Sequence, residues 1–398
     1  MRKVIDSLLL NAVRASGFTY PHAVPQAQTV QPPQSGSTPR ESDLETAIQE
    51  RLKGIESGKY RANTEHVLTE FAQWLYEERD IDSLSQLSPT DCRRYAQYLR
   101  ECVRSEEQVL SASSANTYYA YVRAFLGWCV RDGRINTNPA TQNQATEELP
   151  EDSDRPDRQF WKERDRKALL SFVDKRVDES FEEHSSLPQH RAYRDRALVY
   201  LLALSGVRGA EIFNASEDER RNGLQWSDVD LENGTLEVLE KSRAYQHVPL
   251  PERVCTALER YRRIVEPPTA EMFVFPTEHA PSKYAAVRDQ LENADEQLAA
   301  NDVNKLIRDH GVVVPSISTA GARNLMQRLC EDAGLEINGE YLKPHGGRRG
   351  LGHELYSKGH AELAQTALRH SSIETTHQAY SDIQAKETAK RVDDVLDS

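Results

Sequence analysis

Apolar residues along this chain recur mostly at helical spacing. In TEHVLTEFAQWLYEERD, Val67, Phe71, Trp74 and Leu75 fall three or four apart, which predicts an amphipathic helix with one buried stripe. SSANTYYAYVRAFLGWCVRDGRI predicts a second, with Tyr118, Tyr121, Val122, Phe125 and Cys129 on the buried face and an end at Asp132-Gly133. The pattern changes once, between Leu224 and Pro251. There LQWSDVDLENGTLEVLEKSRAYQHVPLP gives a turn signal at Asn233-Gly234, then alternating apolar residues, then a polar tip and a resumed apolar run ending in Val248-Pro249-Leu250. Two or three short antiparallel strands are expected there. Helical spacing returns in ERVCTALERYRRIV and STAGARNLMQRLCEDAGL. The expected fold class is mainly α, with one small antiparallel sheet in the second half.

Polar stretches divide the chain. Residues 1–40 include YPHAVPQAQTVQPPQSGSTPR, a Pro/Gln/Ser-rich segment with too little apolar surface to fold alone, and read as a flexible tail. Asn143 to Gln159 is polar and acidic with two prolines, the composition of an interdomain connection. The expected layout is a helical domain at 41–146, a linker at 147–156, a second domain at 157–385 and a C-terminal tail at 386–398. That tail belongs to QAKETAKRVDDVLDS, which reads as a short amphipathic helix. A length of 398 residues with 38% apolar and 28% charged content suits soluble globular domains. The apolar runs IDSLLLNAV and ALVYLLAL are far shorter than the ~20 residues that span a bilayer, and no signal-peptide pattern follows the first. A cytoplasmic protein with no membrane association is expected. The five cysteines are scattered, so they are expected to be reduced and structural.

Net charge of −13 argues at first against a nucleic-acid partner. The chain holds 37 Arg and 13 Lys, however, and acidic, Arg-rich composition resembles that of proteins from salt-loaded cytoplasm, as in a halophilic archaeon or its virus. Global charge then reports habitat, and local charge has to decide. From Tyr341 to His370 there are five Lys/Arg against two Glu, a balance of +3, together with His345, His353, His360 and His370. A basic island in an acidic chain points to a bound anion, with phosphate the best fit. The histidines lack an HExxH pattern and carboxylate or Cys partners at ligand spacing, so no metal is expected.

Four stretches carry candidate chemistry. LSGVRGAEI places Arg208 after Gly206 at the end of an apolar helix; taken alone it is a surface arginine beyond a helix-ending glycine. LEKSRAYQHVPL puts Lys241 at a hairpin tip, where a lysine is ordinarily just solvated. LKPHGGRRGLGHELYSKGH sets His345 and Arg348 three apart at a helix start, on one face and near free N–H groups that favour an anion. LRHSSIETTHQAY begins with His370, contains an S-x-x-E capping box from Ser371 to Glu374, and ends at Tyr380. No internal repeat and no glycine-rich phosphate loop accompany them.

In this order the four stretches resemble the tyrosine recombinase family, also called the phage integrase family, which includes the Xer-type resolvases. SGVRGAEI matches the family's first arginine box with its following acid. LEKSRAYQHVPL matches the hairpin bearing a catalytic lysine, HGGRRG the His-x-x-Arg box, and LRHSSIETTHQAY the His and Tyr box. The likeness covers most of the chain: 41–146 resembles the family's helical, SAM-like core-binding domain and 157–385 its mostly α catalytic domain. Three departures accompany it. The interval from His370 to Tyr380 is one residue longer than usual, Arg369 stands where Gly is usual, and Arg349 where a His often follows the second arginine.

The resemblance implies phosphoryl transfer without metal, ATP or another cofactor. Tyr380 would attack a DNA phosphodiester to give a 3′-phosphotyrosine, and a partner strand's 5′-hydroxyl would reverse the step. Arg208 and Arg348 would hold the phosphate, Lys241 would protonate the leaving 5′-oxygen, and His345 would accept or shuttle the tyrosine proton. His370 would donate to the scissile phosphate and Glu211 would orient its neighbours. Double-stranded DNA is the implied partner, clamped between the two domains by a homotetramer on two sites, with Thr117 and Arg123 as candidate contacts and the C-terminal tail docked on a neighbouring subunit. Two alternatives stay open: a cleavage-deficient DNA-binding protein of this fold, and a type IB topoisomerase-like enzyme.

Overall fold

The structure is a computed structural model that describes residues 43–105, 110–151, 159–240 and 243–381. The tails expected at 1–40 and 386–398 lie outside the described residues, as does the second half of the expected linker, 152–156. The chain forms two compact units, Met1–Pro156 and Asp157–Ser398.

The first unit is helical: α1 (Asp43–Lys53), α2 (Gly58–Arg79), α3 (Pro89–Arg104), α4 (Ala112–Arg131) and the short α5 (Asn143–Thr146). On α2 the predicted stripe of Val67, Phe71, Trp74 and Leu75 is buried. Phe71 meets Tyr95 of α3 edge-on, ring centres 4.7 Å apart, and full burial of such a ring contributes on the order of 3 kcal/mol. Helix α3 starts where Ser88 and Asp91 cap each other and Pro89 takes the first turn, a position that needs no N–H. Two expectations are corrected. The buried face of α4 is Ala115, Tyr119, Val122, Phe125, Leu126 and Cys129, so Tyr118 and Tyr121 sit at its edge. There Tyr118 hydrogen-bonds His66 at 3.1 Å and Tyr121 stacks on Tyr60; amphipathic rings suit a boundary of this kind better than the small Ala115 does. The polar stretch from Asn143 is helical for its first four residues, and Ala145 is fully buried, because even a polar turn packs when its one methyl finds the core.

The second unit is also mostly helical. Its long helices are α6 (Glu163–Glu179), α7 (Gln189–Leu204), α9 (Glu252–Val265), α13 (Thr319–Ala333) and α14 (Pro344–Ser357); shorter ones are α8 (Gly209–Ile212), α10 (Ala280–Gln290), α11 (Ala294–Ala300), α12 (Val303–His310), α15 (Ala361–Leu368) and α16 (Ile373–Ala379). A three-stranded antiparallel sheet runs in the order β1 (Val229–Asp230), β2 (Thr235–Leu239), β3 (Tyr245–Pro249). Leu236 pairs with Val248, and both point into the core, while the cross-strand neighbours Glu237 and His247 face water. Helix α7 is the axis of this unit, with Ala197 through Ala203 all buried. Helices α10 to α12 bury a separate small core around Val287, Val303, Leu306 and Val312.

The setting of α14 matters most for the site. A Cβ at Gly347 would come within 2.5 Å of the Leu202 carbonyl oxygen, and one at Gly350 within 2.3 Å of the Trp161 carbonyl oxygen. Only glycine lets α14 lie that close to α7 and to the segment before α6. That segment grips the helix start: Gln159 accepts from the Lys343 N–H at 2.7 Å, and the Trp161 indole donates to the Lys343 carbonyl at 2.9 Å.

Candidate active site

Helix α7 ends at Leu204, and Gly206 turns the chain with φ +70°; a Cβ there would meet the Ala367 carbonyl oxygen at 2.7 Å. The turn delivers Arg208 to the N-cap of α8. Glu211, on the first turn of α8, accepts from the Arg208 backbone N–H and from its Nη1, both at 2.8 Å. Arg208 Nη1 also lies 3.5 Å from Glu240, at the end of β2. The Glu211 side chain is fully buried, and a second guanidinium reaches it: Arg369 Nη2 donates to Oε1 and Oε2 at 2.8 and 2.7 Å.

Arg348 is buried on α14, and its two terminal nitrogens donate to the Gly206 and Leu368 carbonyls. One side chain thus ties the Arg208 turn, α14 and the end of α15 together. His345 lies one turn earlier on α14 and is exposed. Beyond α15, Arg369 adopts φ +51° and closes the helix, and His370 follows with its Nδ1 2.9 Å from the hydroxyl of Thr376, a residue with no exposed surface.

The last segment departs from expectation at its start. The N-cap of α16 is Ser372, extended at φ −143° and accepting from the Thr375 N–H at 3.2 Å, instead of Ser371 paired with Glu374. The left-handed Arg369 and the bond from the His370 N–H to the Gln365 carbonyl finish the preceding helix, so the first residue free to take a capping geometry comes one later. At its end, α16 stays helical through Ala379 and Tyr380 leaves it as the C-cap at φ −126°, its N–H still directed at the Thr376 and His377 carbonyls. The Tyr380 ring lies over Gly352, where a Cβ would sit 2.0 Å from its hydroxyl, and packs beside Tyr356 with centres 5.4 Å apart. Its hydroxyl donates to the Arg349 carbonyl at 3.4 Å, and Tyr356 is itself hydrogen-bonded to His377 at 2.6 Å.

Electrostatics follow from burial and from four guanidinium groups, Arg208, Arg348, Arg349 and Arg369. Burial raises the Glu211 carboxyl, but Arg369 and then Arg208 outweigh it and hold the group ionised, below its usual range. Burial, then the like charges of Arg208 and Arg369, push Arg348 down to about 9, so it is charged at neutral pH. Although His345 keeps an exposed surface, crowding by protein and then Arg349, Arg348 and Arg208 push it down to about 4. Burial, followed by Arg348 and Arg208, lowers His370 as well. Both imidazoles are therefore neutral in this state. Burial pushes Tyr380 up to about 12, with Arg348 and Arg349 opposing.

Contacts join Arg208, Glu211, Arg348, His370 and Tyr380 around α14, and His345 shares that helix. Lys241, expected at the hairpin tip between β2 and β3, lies outside the described residues. Thr117 and Arg123 belong to the first unit and are exposed, with the Thr117 hydroxyl donating to the Ser113 carbonyl at 2.8 Å. Sequence reasoning passed over Arg369, Thr376, Tyr356 and Gly352 as parts of the site; only the Arg at a usual Gly position gave a signal. Among the described residues no group of three or more His, Cys, Asp and Glu side chains is placed to hold a metal ion, and no helix is long and apolar enough to cross a membrane.

This arrangement can grip an anion between guanidinium groups and two neutral imidazoles with a phenol at its edge. The family model of the phage integrase family matches residues 167–387, more than half of the chain. The chain belongs to the phage integrase family. Among curated members, it is 25% identical over 209 residues to tyrosine recombinase XerC of Xanthomonas axonopodis pv. citri, covering 51% of this chain and 58% of that one. It is 30% identical over 152 residues to XerC of Xylella fastidiosa strain 9a5c, covering 38% and 42%. The chain thus matches about half the length of these relatives. The phage integrase fold is further seen in the likeness to the integrase of transposon Tn1549, solved in complex with a circular intermediate DNA: TM-score 0.53 at 16% identity, over 88% of this chain and 99% of that one.

Proposed function

We propose that this protein is a site-specific DNA recombinase that cleaves and rejoins DNA through a 3′-phosphotyrosine intermediate. The observation that carries the reading is the gathering, around one glycine-rich helix, of Arg208, Arg348, His370 and Tyr380 from positions spread over the whole second unit. Arg208 and Arg348 bind the non-bridging oxygens of the scissile phosphate, where guanidinium planes match the geometry and charge grows in the transition state. Tyr380 Oη bonds to phosphorus while the bond from phosphorus to the 5′-oxygen breaks. The phenol proton passes to His345, and the departing 5′-oxygen takes a proton from Lys241. In the second half of the reaction, an incoming 5′-hydroxyl attacks the phosphotyrosine and the protons return. Burial and then Arg349, Arg348 and Arg208 hold His345 near 4; negative charge from the bound phosphodiester offsets the guanidinium share of that shift and so raises its basicity.

Thr376 adds a tautomer argument. When its buried hydroxyl donates to His370 Nδ1, the ring proton is left on Nε2, so a neutral His370 still donates to the phosphate. The first unit contacts DNA through its exposed helical surface, Thr117 and Arg123 included, and the assembly is a homotetramer on two double-stranded sites, with the 386–398 tail docked on a neighbour. The setting is an acidic-surfaced protein working in salt-rich cytoplasm.

A duplex carrying a nick beside the cleavage point tests the chemistry, since the freed fragment cannot rejoin. A covalent protein–DNA species is expected from wild type in high salt, and none from Tyr380→Phe at equal DNA binding. If wild type binds the duplex and yields no covalent species, the recombinase reading falls. The result then favours the cleavage-deficient DNA binder, a reading for which the sheltered Tyr380 hydroxyl speaks.

A further inference from the structure

Arg369 is an arginine where the backbone turns left-handed, φ +51°, a conformation that suits glycine. Its side chain is 7% exposed, and its Nε and Nη1 are buried with no hydrogen-bond acceptor among the described residues. Backbone strain and two unpaired buried donors are a cost that stability alone does not call for. What the residue does have is Glu211: Arg369 Nη2 lies on both carboxylate oxygens, at 2.8 and 2.7 Å, while the Arg208 guanidinium reaches only Oε1, through Nη1 at 2.8 Å, and the Arg208 backbone N–H caps Oε2 at 2.8 Å.

We propose that Arg369 is a positioning residue that occupies Glu211 and thereby keeps the Arg208 guanidinium available for the scissile phosphate. A buried carboxylate with one arginine partner draws it into a two-pronged fork. With Arg369 absent, that partner is Arg208, already on Oε1 through Nη1, and its remaining donors turn from phosphate to Glu211. With Arg369 present, the carboxylate charge is shared and the Arg208, Glu211 and Arg369 trio keeps a net positive charge facing the anion. This inference rests on the recombinase reading above.

The test uses the full-length protein and the nicked duplex, with DNA affinity and the rate of covalent complex formation at saturating DNA measured separately. Arg369→Gly removes the guanidinium and relaxes the backbone. It is expected to slow cleavage roughly tenfold or more, the scale of one lost charged contact, with affinity within about twofold. Adding Glu211→Gln to it removes the competing charge and is expected to recover most of the rate, which a merely structural role of Arg369 would not produce. Should Arg369→Gly melt below the assay temperature, Arg369→Lys carries the same comparison, since it keeps the charge but loses the two-oxygen contact. It then cleaves more slowly than wild type, and Glu211→Gln beside it restores the rate. Wild-type cleavage rates in the single variants, or double variants no faster than the singles, overturn the proposal. Failure of wild type itself to form the covalent species overturns the recombinase reading instead.

Discussion

Gly352 and His345 show what single residues decide here. A Cβ at Gly352 would sit 2.0 Å from the Tyr380 hydroxyl and 2.4 Å from Leu368 Cδ1. Gly352→Ala must therefore push the tyrosine off α14, while the change itself suits a helix interior. Covalent complex formation is expected to fall at least tenfold with DNA binding kept, as read by nicked-duplex cleavage beside a gel shift. His345 gives a pH signature. Its folded value of about 4 lies below the ordinary 6.5, so the unfolded chain binds the proton first as pH falls. Stability is thus full above about 6.5 and is lost as pH drops toward 4. Because the ring is exposed, solvent screening makes the loss modest. Melting temperatures at pH 7 and pH 4.5 should differ less in His345→Gln than in wild type, and an equal difference removes His345 as the source.

Element by element, what the sequence made legible was local pattern, and what it hid was contact between distant segments. Helix α2 was readable because a single stripe packs one way, and the β2–β3 hairpin because its alternation and turn residues agree. On α4 two aromatic positions looked like core, yet Tyr118 and Tyr121 satisfy their hydroxyls at the edge while Tyr119 goes inside and donates to the Ala140 carbonyl at 3.2 Å. Helices α10 to α12 left no recognisable signal, since their small core needs only a few scattered Val, Leu and Ala. The candidate residues were legible as motifs, but the reason HGGRRG is rich in glycine was not: it depends on Leu202 and Trp161, far off in sequence. The start of α16 was off by one because the end of α15 decides it. That difference can be measured. Ser372→Ala should cost about 1 kcal/mol of stability, the worth of a side-chain cap, and loosen the segment holding Tyr380. Ser371→Ala should change the melting curve little; the reverse result would return the cap to Ser371.

At the scale of the molecule, the two units have separate hydrophobic cores, one around Phe71, Tyr95 and Leu126 and one around α7. Calorimetry is expected to resolve two unfolding transitions, with Phe71→Ala lowering only one of them by about 3–5 kcal/mol of local stability. A single transition that shifts as a whole would show the units to be coupled. Charge raises a different question, because on the recombinase reading proposed above a chain at −13 has to approach a polyanion. Long-range repulsion from an acidic surface is screened within about 3 Å at 1 M salt, whereas guanidinium–phosphate contact is short-range and releases condensed counterions. For most DNA binders added salt only weakens binding. Here low salt leaves repulsion unscreened and high salt opposes counterion release, so affinity is expected to pass through a maximum as salt rises instead of falling throughout. On the falling limb, the slope of log affinity against log salt counts phosphate contacts at about 0.9 each. Arg123→Ala, at an exposed site, should then flatten that slope by about one and weaken binding equally on specific and unrelated duplexes. An unchanged slope would take Arg123 out of the DNA interface, and a monotonic fall from the lowest salt would mean that the acidic surface lies out of range of the DNA.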